Sequence, residues 1–125
     1  MSPAVKTILI ADDDEDLRLL VQVTLENPAY RILTAPDGSQ ALAAAQQHFP
    51  DLLILDWMMP GLNGSEVISH LRQNPATETI PVVMLTAKDG PEAREQMALL
   101  ALEGYLVKPF SPLELIKKVK EVLDS

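Results

Sequence analysis

A chain of 125 residues, 47% of them hydrophobic and 22% charged, has the size of one globular domain and is too apolar to be intrinsically disordered. Its net charge of −8 opposes contact with a phosphate backbone, which argues against nucleic-acid binding by this domain alone. The sequence contains no cysteine, so thiol catalysis, thiolate metal sites and disulfides are excluded.

Short apolar runs alternate with helical patterns along the first half of the chain. Residues 7–11 are a predicted strand, because the consecutive aliphatic residues Ile8, Leu9 and Ile10 indicate burial on both faces of a sheet. A helical pattern follows and ends at Asn27-Pro28. The next predicted elements are the strand Tyr30–Ala35, a helix from Gly38 to about His48, and a strand over residues 52–55.

The second half of the chain repeats this alternation. Its predicted elements are a loop from Gly61 to Gly64, a helix over residues 65–73, a strand over residues 81–85, a helix that starts at Asp89-Gly90-Pro91, and a strand over residues 105–107. Ser111-Pro112 followed by Glu114 has the cap and the proline of a last helix start. The predicted inner stripe of that helix is Leu113, Ile116, Val119 and Leu123.

Five strands that alternate with five helices predict an α/β fold with a doubly wound parallel sheet and helices on both faces. We expect one domain over residues 1–125. The start of the chain lacks the pattern of a signal peptide, and no apolar run approaches the roughly 20 residues that span a bilayer. The sequence therefore predicts a cytoplasmic protein without a membrane segment.

Polar and charged side chains follow four of the five predicted strands. They are Asp12, Asp13 and Asp14 after the first strand, Asp56 after the third, Thr86 after the fourth and Lys108 after the fifth. Ligands of doubly wound sheets bind beyond the carboxyl ends of the strands, so we expect these side chains to form one site.

Carboxylates about 5 Å apart repel each other by roughly 3 kcal/mol at an effective dielectric constant near 20. A magnesium ion offsets such repulsion, because it prefers oxygen ligands and binds one or two carboxylates together with water and phosphate oxygens. Lys108 supplies a second positive charge, and Thr86 supplies a hydroxyl donor. We therefore expect replacement of Asp13 or Asp56 by asparagine to stabilise the metal-free protein by about 1–3 kcal/mol.

A nucleophilic carboxylate, a metal and groups that bind phosphoryl oxygens are the requirements of phosphoryl transfer to aspartate. Each residue alone also has a structural interpretation. The three aspartates after the first strand could cap the next helix, and Asp56 could be a turn residue. Thr86 could satisfy backbone groups at a strand end, and Lys108 could be a solvated charge. Their joint placement favours the phosphoryl-transfer interpretation.

Several motifs resemble the receiver domains of two-component response regulators, the group that includes the stand-alone chemotaxis regulator. The motifs are ILIADDD at 8–14, DLLILD at 51–56, MMPG at 58–61 with Gly64, Thr86-Ala87, and YLVKPF at 105–110. The resemblance covers residues 7–123. It implies a flavodoxin-like sheet with strand order 2-1-3-4-5.

The resemblance also implies a role for each matching residue. Asp56 would accept a phosphoryl group from a histidine kinase or phosphotransfer protein. Asp13, Asp56 and the backbone carbonyl of Met58 would hold Mg²⁺, and Asp12 would act mainly through a metal-bound water. Lys108 would pair with the phosphoryl group.

Two further residues would transmit the phosphorylated state. By the same resemblance, Thr86 would bond a phosphoryl oxygen and Tyr105 would be the aromatic switch that follows it. The output surface would comprise the fourth helix, the fifth strand and the fifth helix, where a homodimer or a downstream target could dock. Ala101 departs from the family, which usually has glycine there, so the turn before Tyr105 is expected to be built differently.

An alternative from another functional class is a magnesium-dependent phosphatase with Asp56 as its nucleophile. Such enzymes place a second aspartate two residues further on as the general acid. Met58 occupies that position here and cannot transfer protons. The sequence leaves open the kinase, the signal, the target, the phosphoryl lifetime and whether an output domain follows Ser125.

Overall fold

The structure is a computed structural model that describes residues 5–87 and 90–124. Its strands are β1 (Lys6–Ala11), β2 (Tyr30–Ala35), β3 (Leu52–Asp56), β4 (Val82–Thr86) and β5 (Gly104–Val107). Its helices are α1 (Glu15–Thr24), α2 (Gly38–His48), α3 (Gly64–Arg72), α4 (Pro91–Ala98) and α5 (Pro112–Leu123). Among the described residues, no helix is long and apolar enough to cross a membrane.

The five strands form one parallel sheet in the order β2-β1-β3-β4-β5. This confirms the fold class and the strand order expected from the sequence. The chain moves outward from β1 to β2, then crosses back to β3 on the other side of β1. The carboxyl ends of β1 and β3 therefore flank the point where the strand order reverses, which is where such sheets bind ligands.

Two hydrophobic cores cover the two faces of the sheet. One core packs α2, α3 and α4 against β1, β3 and β4 through side chains that include Ala41, Leu71 and Met97. The other packs α1 and α5 through Val21, Leu115 and others. The central strand β3 is buried along its whole length, because helices cover it from both sides.

One expectation for α5 was wrong. Leu113 was predicted to face the core, but it is 78% exposed, whereas Leu115 and Val119 are almost fully buried. Successive residues of a helix are rotated by about 100°, so Leu113 lies on the side of the helix opposite Leu115. Ile116 and Leu123 are partly buried and pack against the core as expected.

The start of α4 agrees with its predicted position, and the turn after it has an unusual backbone conformation. Gly90 caps α4 and Pro91 is its first residue, as predicted, while Asp89 lies outside the described residues. Ala101 adopts a φ of 53°, the left-handed conformation that favours glycine. The alanine therefore occupies a backbone conformation that glycine would adopt with less strain.

Candidate functional site

The sheet brings the predicted site residues to one edge. Asp56 is the last residue of β3, and Asp12 directly follows β1. The two strands are paired in register up to Ala11 and Leu55, so the two aspartates leave the sheet side by side. Parallel pairing thus creates a contact between residues 44 positions apart in the chain.

Asp12, Asp13 and Asp56 form an acidic cluster. Each has a carboxylate oxygen within 4.8 Å of the corresponding oxygens of the other two. Asp12 is 0% exposed and Asp56 is 5% exposed, whereas Asp13 is exposed. Two carboxylates of the cluster are therefore shielded from water, and the third opens to solvent.

Lys108 lies across the acidic cluster. Its Nζ is 3.1 Å from Oδ2 of Asp56 and 3.8 Å from Oδ2 of Asp12, and its side chain is 24% exposed. The backbone N–H of Lys108 donates to the carbonyl of Thr86 at 2.7 Å, which fixes the lysine at the end of β5. One ammonium thus offsets part of the charge of two buried carboxylates.

Asp12 has only part of its hydrogen-bonding capacity satisfied. Its Oδ1 accepts the backbone N–H of Asp14 at 2.9 Å. Its buried Oδ2 has no hydrogen-bond partner among the described residues. Burial raises the pKa of Asp12 to about 6, with a further contribution from the charge of Asp56, while the N–H of Asp14 and Lys108 act in the opposite direction.

The donor set of the cluster fits a hard divalent cation. Three carboxylates converge, and a buried oxygen of Asp12 lacks a hydrogen-bond partner among residues 5–87 and 90–124. A magnesium ion prefers carboxylate and carbonyl oxygens, and its charge would offset the repulsion within the cluster. These residues could therefore hold Mg²⁺.

Asp14 has a different role from its two neighbours. It is the N-cap of α1, and its Oδ1 accepts the backbone N–H groups of Asp16 at 3.0 Å and Leu17 at 3.2 Å. The capping interpretation is therefore correct for Asp14, while Asp12 and Asp13 belong to the acidic cluster.

Because Asp14 caps α1 and lies outside the acidic cluster, Asp14→Ala should affect stability but not metal binding. Loss of the cap should lower the free energy of unfolding by about 1 kcal/mol, while Mg²⁺ affinity stays at the parent value. Urea denaturation in EDTA and a Mg²⁺ titration measure the two quantities. A large loss of Mg²⁺ affinity would place Asp14 in the metal site and contradict the division.

The loop after β3 borders the cluster. Met58 is 60% exposed, and its backbone N–H lies 3.4 Å from Oδ1 of Asp56. Trp57 is 8% exposed and packs into the core, so its bulk is directed away from solvent. An indole one residue from Asp56 offers a fluorescence probe of the cluster.

Thr86 and Tyr105 lie on adjacent strands. Thr86 is 1% exposed at the end of β4 and is in register with Val107, while Tyr105 is in register with Met84. Side chains alternate between faces along a strand, so Thr86, Met84 and Tyr105 share one face of the sheet. The partly buried Tyr105 packs against the core on that face.

Arg18 is a contributor that the sequence interpretation missed. Its Nη1 donates to the backbone carbonyl of Asp12 at 2.9 Å and so fixes the loop between β1 and α1. The arginine stands four residues after the cap of α1, a spacing that places it one helical turn above Asp14. In the sequence, this spacing was the feature that could have indicated a role for Arg18 beside the site.

A doubly wound parallel sheet that presents an acidic cluster and a lysine at its carboxyl edge has the groups of a domain that accepts a phosphoryl group on aspartate. The response regulator receiver domain family matches residues 8–120. The chain belongs to this family and is a receiver domain of the two-component response regulators.

Several relatives carry the same domain. The chain is 42% identical over 118 residues to the phosphate regulon transcriptional regulatory protein PhoB of Pseudomonas aeruginosa, covering 94% of this chain and 52% of the relative. It is also 42% identical to the alkaline phosphatase synthesis transcriptional regulatory protein PhoP of Bacillus subtilis, covering 94% and 48%. The chain thus spans about half the length of these relatives.

Solved structures agree with the family. The chemotaxis response regulator CheY4 of Vibrio cholerae superposes with a TM-score of 0.89 at 35% identity, over 96% of this chain and 100% of the other. The receiver domain of Francisella response regulator 1452 gives a TM-score of 0.87 at 31% identity, over 95% and 97% of the two chains. Both the fold and the family expected from the sequence are confirmed.

Proposed function

We propose that this chain is one receiver domain over residues 1–125 in which Asp56 is the phosphoacceptor. The observation that carries the proposal is the position of Asp56, buried at the end of β3 with Nζ of Lys108 at 3.1 Å and two carboxylates beside it. A carboxylate oxygen of Asp56 forms a bond to phosphorus as the P–N bond of a donor phosphohistidine breaks. The imidazole leaves with the bonding electron pair and takes up a proton.

Mg²⁺ is the proposed cofactor. Asp13, Asp56 and the backbone carbonyl of Met58 would hold it, and Asp12 would contact it through a bound water. A bound magnesium ion supplies charge neutralisation for the nucleophile and the phosphoryl oxygens. Lys108, whose Nζ lies 3.1 Å from Oδ2 of Asp56, would pair with a phosphoryl oxygen.

Thr86 and Tyr105 are proposed to transmit the phosphorylated state. A phosphoryl group adds about −1.5 to −2 charges at pH 7, and the hydroxyl of Thr86 would donate to one of its oxygens. Tyr105 lies on the same face of the sheet and is partly buried, and the space that Thr86 would vacate by moving toward the phosphoryl group would let Tyr105 turn inward. The surface of α4, β5 and α5 would change as a result.

That surface is the proposed binding site of a downstream target or a second copy of the chain. The lysines Lys117 and Lys120 of α5 are exposed, as are the acidic residues Glu92 and Glu95 of α4. Exposed charges of both signs on α4 and α5 suit a symmetric contact in which α4 of one copy meets α5 of the other.

A histidine kinase or phosphotransfer protein is the proposed phosphodonor. A groove of about 440 Å³ lies beside Lys108 and is lined by Leu17, Leu20 and Phe110, together with Pro109 and Asp14. Leu20 is 54% exposed in this groove. An apolar surface next to the acceptor suits a protein donor, because a small phosphodonor needs only the charged cluster.

Nucleic-acid binding by this domain is not proposed, and the expected cytoplasmic location stays a prediction.

The phosphatase alternative is not favoured. Its general acid would have to stand at Met58, which carries no transferable proton. The family to which the chain belongs is regulatory. Catalysis is therefore proposed to be limited to phosphorylation and dephosphorylation of the domain itself.

Phosphorylation of the parent tests the proposal. Acetyl phosphate with Mg²⁺ should add the mass of one phosphoryl group, and beryllofluoride with Mg²⁺ should change the fluorescence of Trp57. Asp56→Asn should abolish both signals, whereas Asp51→Asn, at the opposite end of β3, should keep them. Full modification of Asp56→Asn would refute the assignment of the acceptor.

The same beryllofluoride sample tests the output surface. Amide NMR shifts should extend from Asp56 to Tyr105 and along α5, and sedimentation should report whether a dimer forms. Shifts confined to the loop after β3 would contradict the transmitted switch.

A further inference from the structure

We propose that Gly38, the first residue of α2, is a positioning residue for the magnesium site because it allows α2 to lie against the backbone of the loop after β3. This inference rests on the proposed function, in which the carbonyl of Met58 binds the metal. Gly38 is 20 positions before Met58 and belongs to another element, so the link is visible only in three dimensions.

The contact between Gly38 and the loop leaves no room for a side chain. A Cβ added at Gly38 would lie 2.8 Å from both the carbonyl carbon and the Cβ of Leu62, and closer still to the carbonyl oxygen of Leu62. Real Cβ contacts are not this short, and ordinary contacts begin at 3.4 Å. Because the obstructing atoms are mainly backbone, a rotamer change of a side chain cannot relieve the clash.

Other contacts hold the end of the loop that leads into α3. The backbone N–H of Gly64 donates to the carbonyl of Trp57 at 2.8 Å, which closes the segment between them. Asn63 and Glu66 form a reciprocal capping box at the start of α3. Because α3 holds the far end, a displaced Leu62 must move the rest of the closed segment, which contains Met58.

The start of α2 is held more firmly than the loop, in which residues 58, 60 and 61 are exposed. Oδ1 of its N-cap, Asp37, accepts the backbone N–H of Gln40 at 2.8 Å, and Oδ2 accepts Nε2 of Gln40 at 3.0 Å. Ala41 and Ala45 of the helix are fully buried in the core. An added methyl group at Gly38 is therefore accommodated by movement of the loop.

A shift of the loop would change the metal site selectively. Asp12 and Asp56 belong to the ends of β1 and β3 and keep their positions, whereas the carbonyl of Met58 moves with the loop. Changes in residues that orient metal ligands typically cost about 10- to 100-fold in affinity. Gly38→Ala should accordingly raise the Mg²⁺ dissociation constant by about 10-fold, the lower end of that range.

Mg²⁺ titration of the folded proteins, followed by Trp57 fluorescence, measures this effect. Gly104→Ala is the matched glycine control, because the three atoms nearest to its Cβ would all belong to the flexible side chain of Lys118, at 3.0 Å or more. Val119→Ala controls for stability, because it removes buried volume from the core on the opposite face. Both controls should keep the parent Mg²⁺ affinity, even if Val119→Ala is less stable than Gly38→Ala.

Leu62→Ala provides a second variant that does not introduce the clash. Leu62 is partly buried and anchors the loop in the core, so its truncation should loosen the loop and also weaken Mg²⁺ binding. If the parent and a folded Gly38→Ala bind Mg²⁺ equally well, Gly38 is not a positioning residue, while the proposed function stands; if Gly38→Ala does not fold, unchanged affinity of Leu62→Ala overturns the proposal. If the parent itself binds no Mg²⁺, both proposals fail.

Discussion

Asp12→Asn should stabilise the metal-free domain by about 2–3 kcal/mol at pH 7. Burial raises the pKa of Asp12 from its ordinary value of 3.8 to about 6, so its ionised form opposes folding at neutral pH. Asparagine removes that charge at nearly constant volume and can still accept the N–H of Asp14 through its side-chain oxygen. Urea denaturation of parent and variant in EDTA measures the difference.

The pH dependence of this difference has a defined sign. A carboxyl whose pKa is higher in the folded state binds more protons there, so folding is favoured by acid. The advantage of Asp12→Asn over the parent should therefore be greatest above pH 6 and shrink as the pH falls toward 4. A constant difference across that range would show that Asp12 does not titrate as a buried carboxyl.

Asp13→Asn is the matched control for Asp12→Asn. Asp13 belongs to the same cluster but is exposed, so water screens its charge. Its replacement should change stability by less than about 0.5 kcal/mol, which revises the larger effect expected from the sequence.

Destabilisation by Asp12→Asn would mean that the carboxylate is structural, and the repulsion assigned to the cluster would be wrong.

Lys108→Ala should destabilise the metal-free domain by about 2–4 kcal/mol, which is opposite in sign to the effect of Asp12→Asn. The substitution leaves Asp12 and Asp56 buried without the ammonium that lies 3.8 Å and 3.1 Å from their Oδ2 atoms. The partial exposure of Lys108 limits the loss to less than that of a fully buried pair. Urea denaturation in EDTA, compared with the exposed-lysine control Lys117→Ala, measures it.

Magnesium should restore part of the stability that Lys108→Ala loses. A cation that binds only the folded state stabilises it by mass action, and it would supply the positive charge that the variant lacks. The stabilisation by millimolar Mg²⁺ should therefore be larger for Lys108→Ala than for Lys117→Ala. Equal stabilisation of the two variants would indicate that Lys108 and the metal do not share the same carboxylates.

The order of the elements was determined by the sequence itself. Runs such as Ile8-Leu9-Ile10 are apolar on both faces, as is typical of a parallel strand that helices cover from both sides. Proline and glycine at positions 91 and 90 mark the start of α4. These are local signals, because they depend on the periodicity and backbone preferences of neighbouring residues.

The composition of the site was also predictable, since the carboxyl ends of parallel strands meet at one edge of the sheet. Asp12, Asp56 and Lys108 were identified from this rule and from the family resemblance, and the structure brings them together. The rule says which strand end a residue occupies. It does not say whether the side chain is buried, capped or exposed.

Only the tertiary structure showed the burial and the hydrogen-bond partners of each member of the acidic run. Asp12 is buried, Asp13 is exposed and Asp14 caps α1, although the three are chemically identical neighbours. The raised pKa of Asp12 depends on its burial and on the charges of Asp56 and Lys108. These partners are more than 40 residues away, so local sequence carries no information about them.

The close approach of Gly38 to Leu62 was likewise decided by packing. In the sequence, Asp37-Gly38 indicates only a cap and a helix start. The need for glycine comes from the backbone of a loop 24 residues later, which lies where a Cβ would be. A steric requirement of this kind depends on how two elements pack on one face of the sheet, and it exists only once the chain has folded.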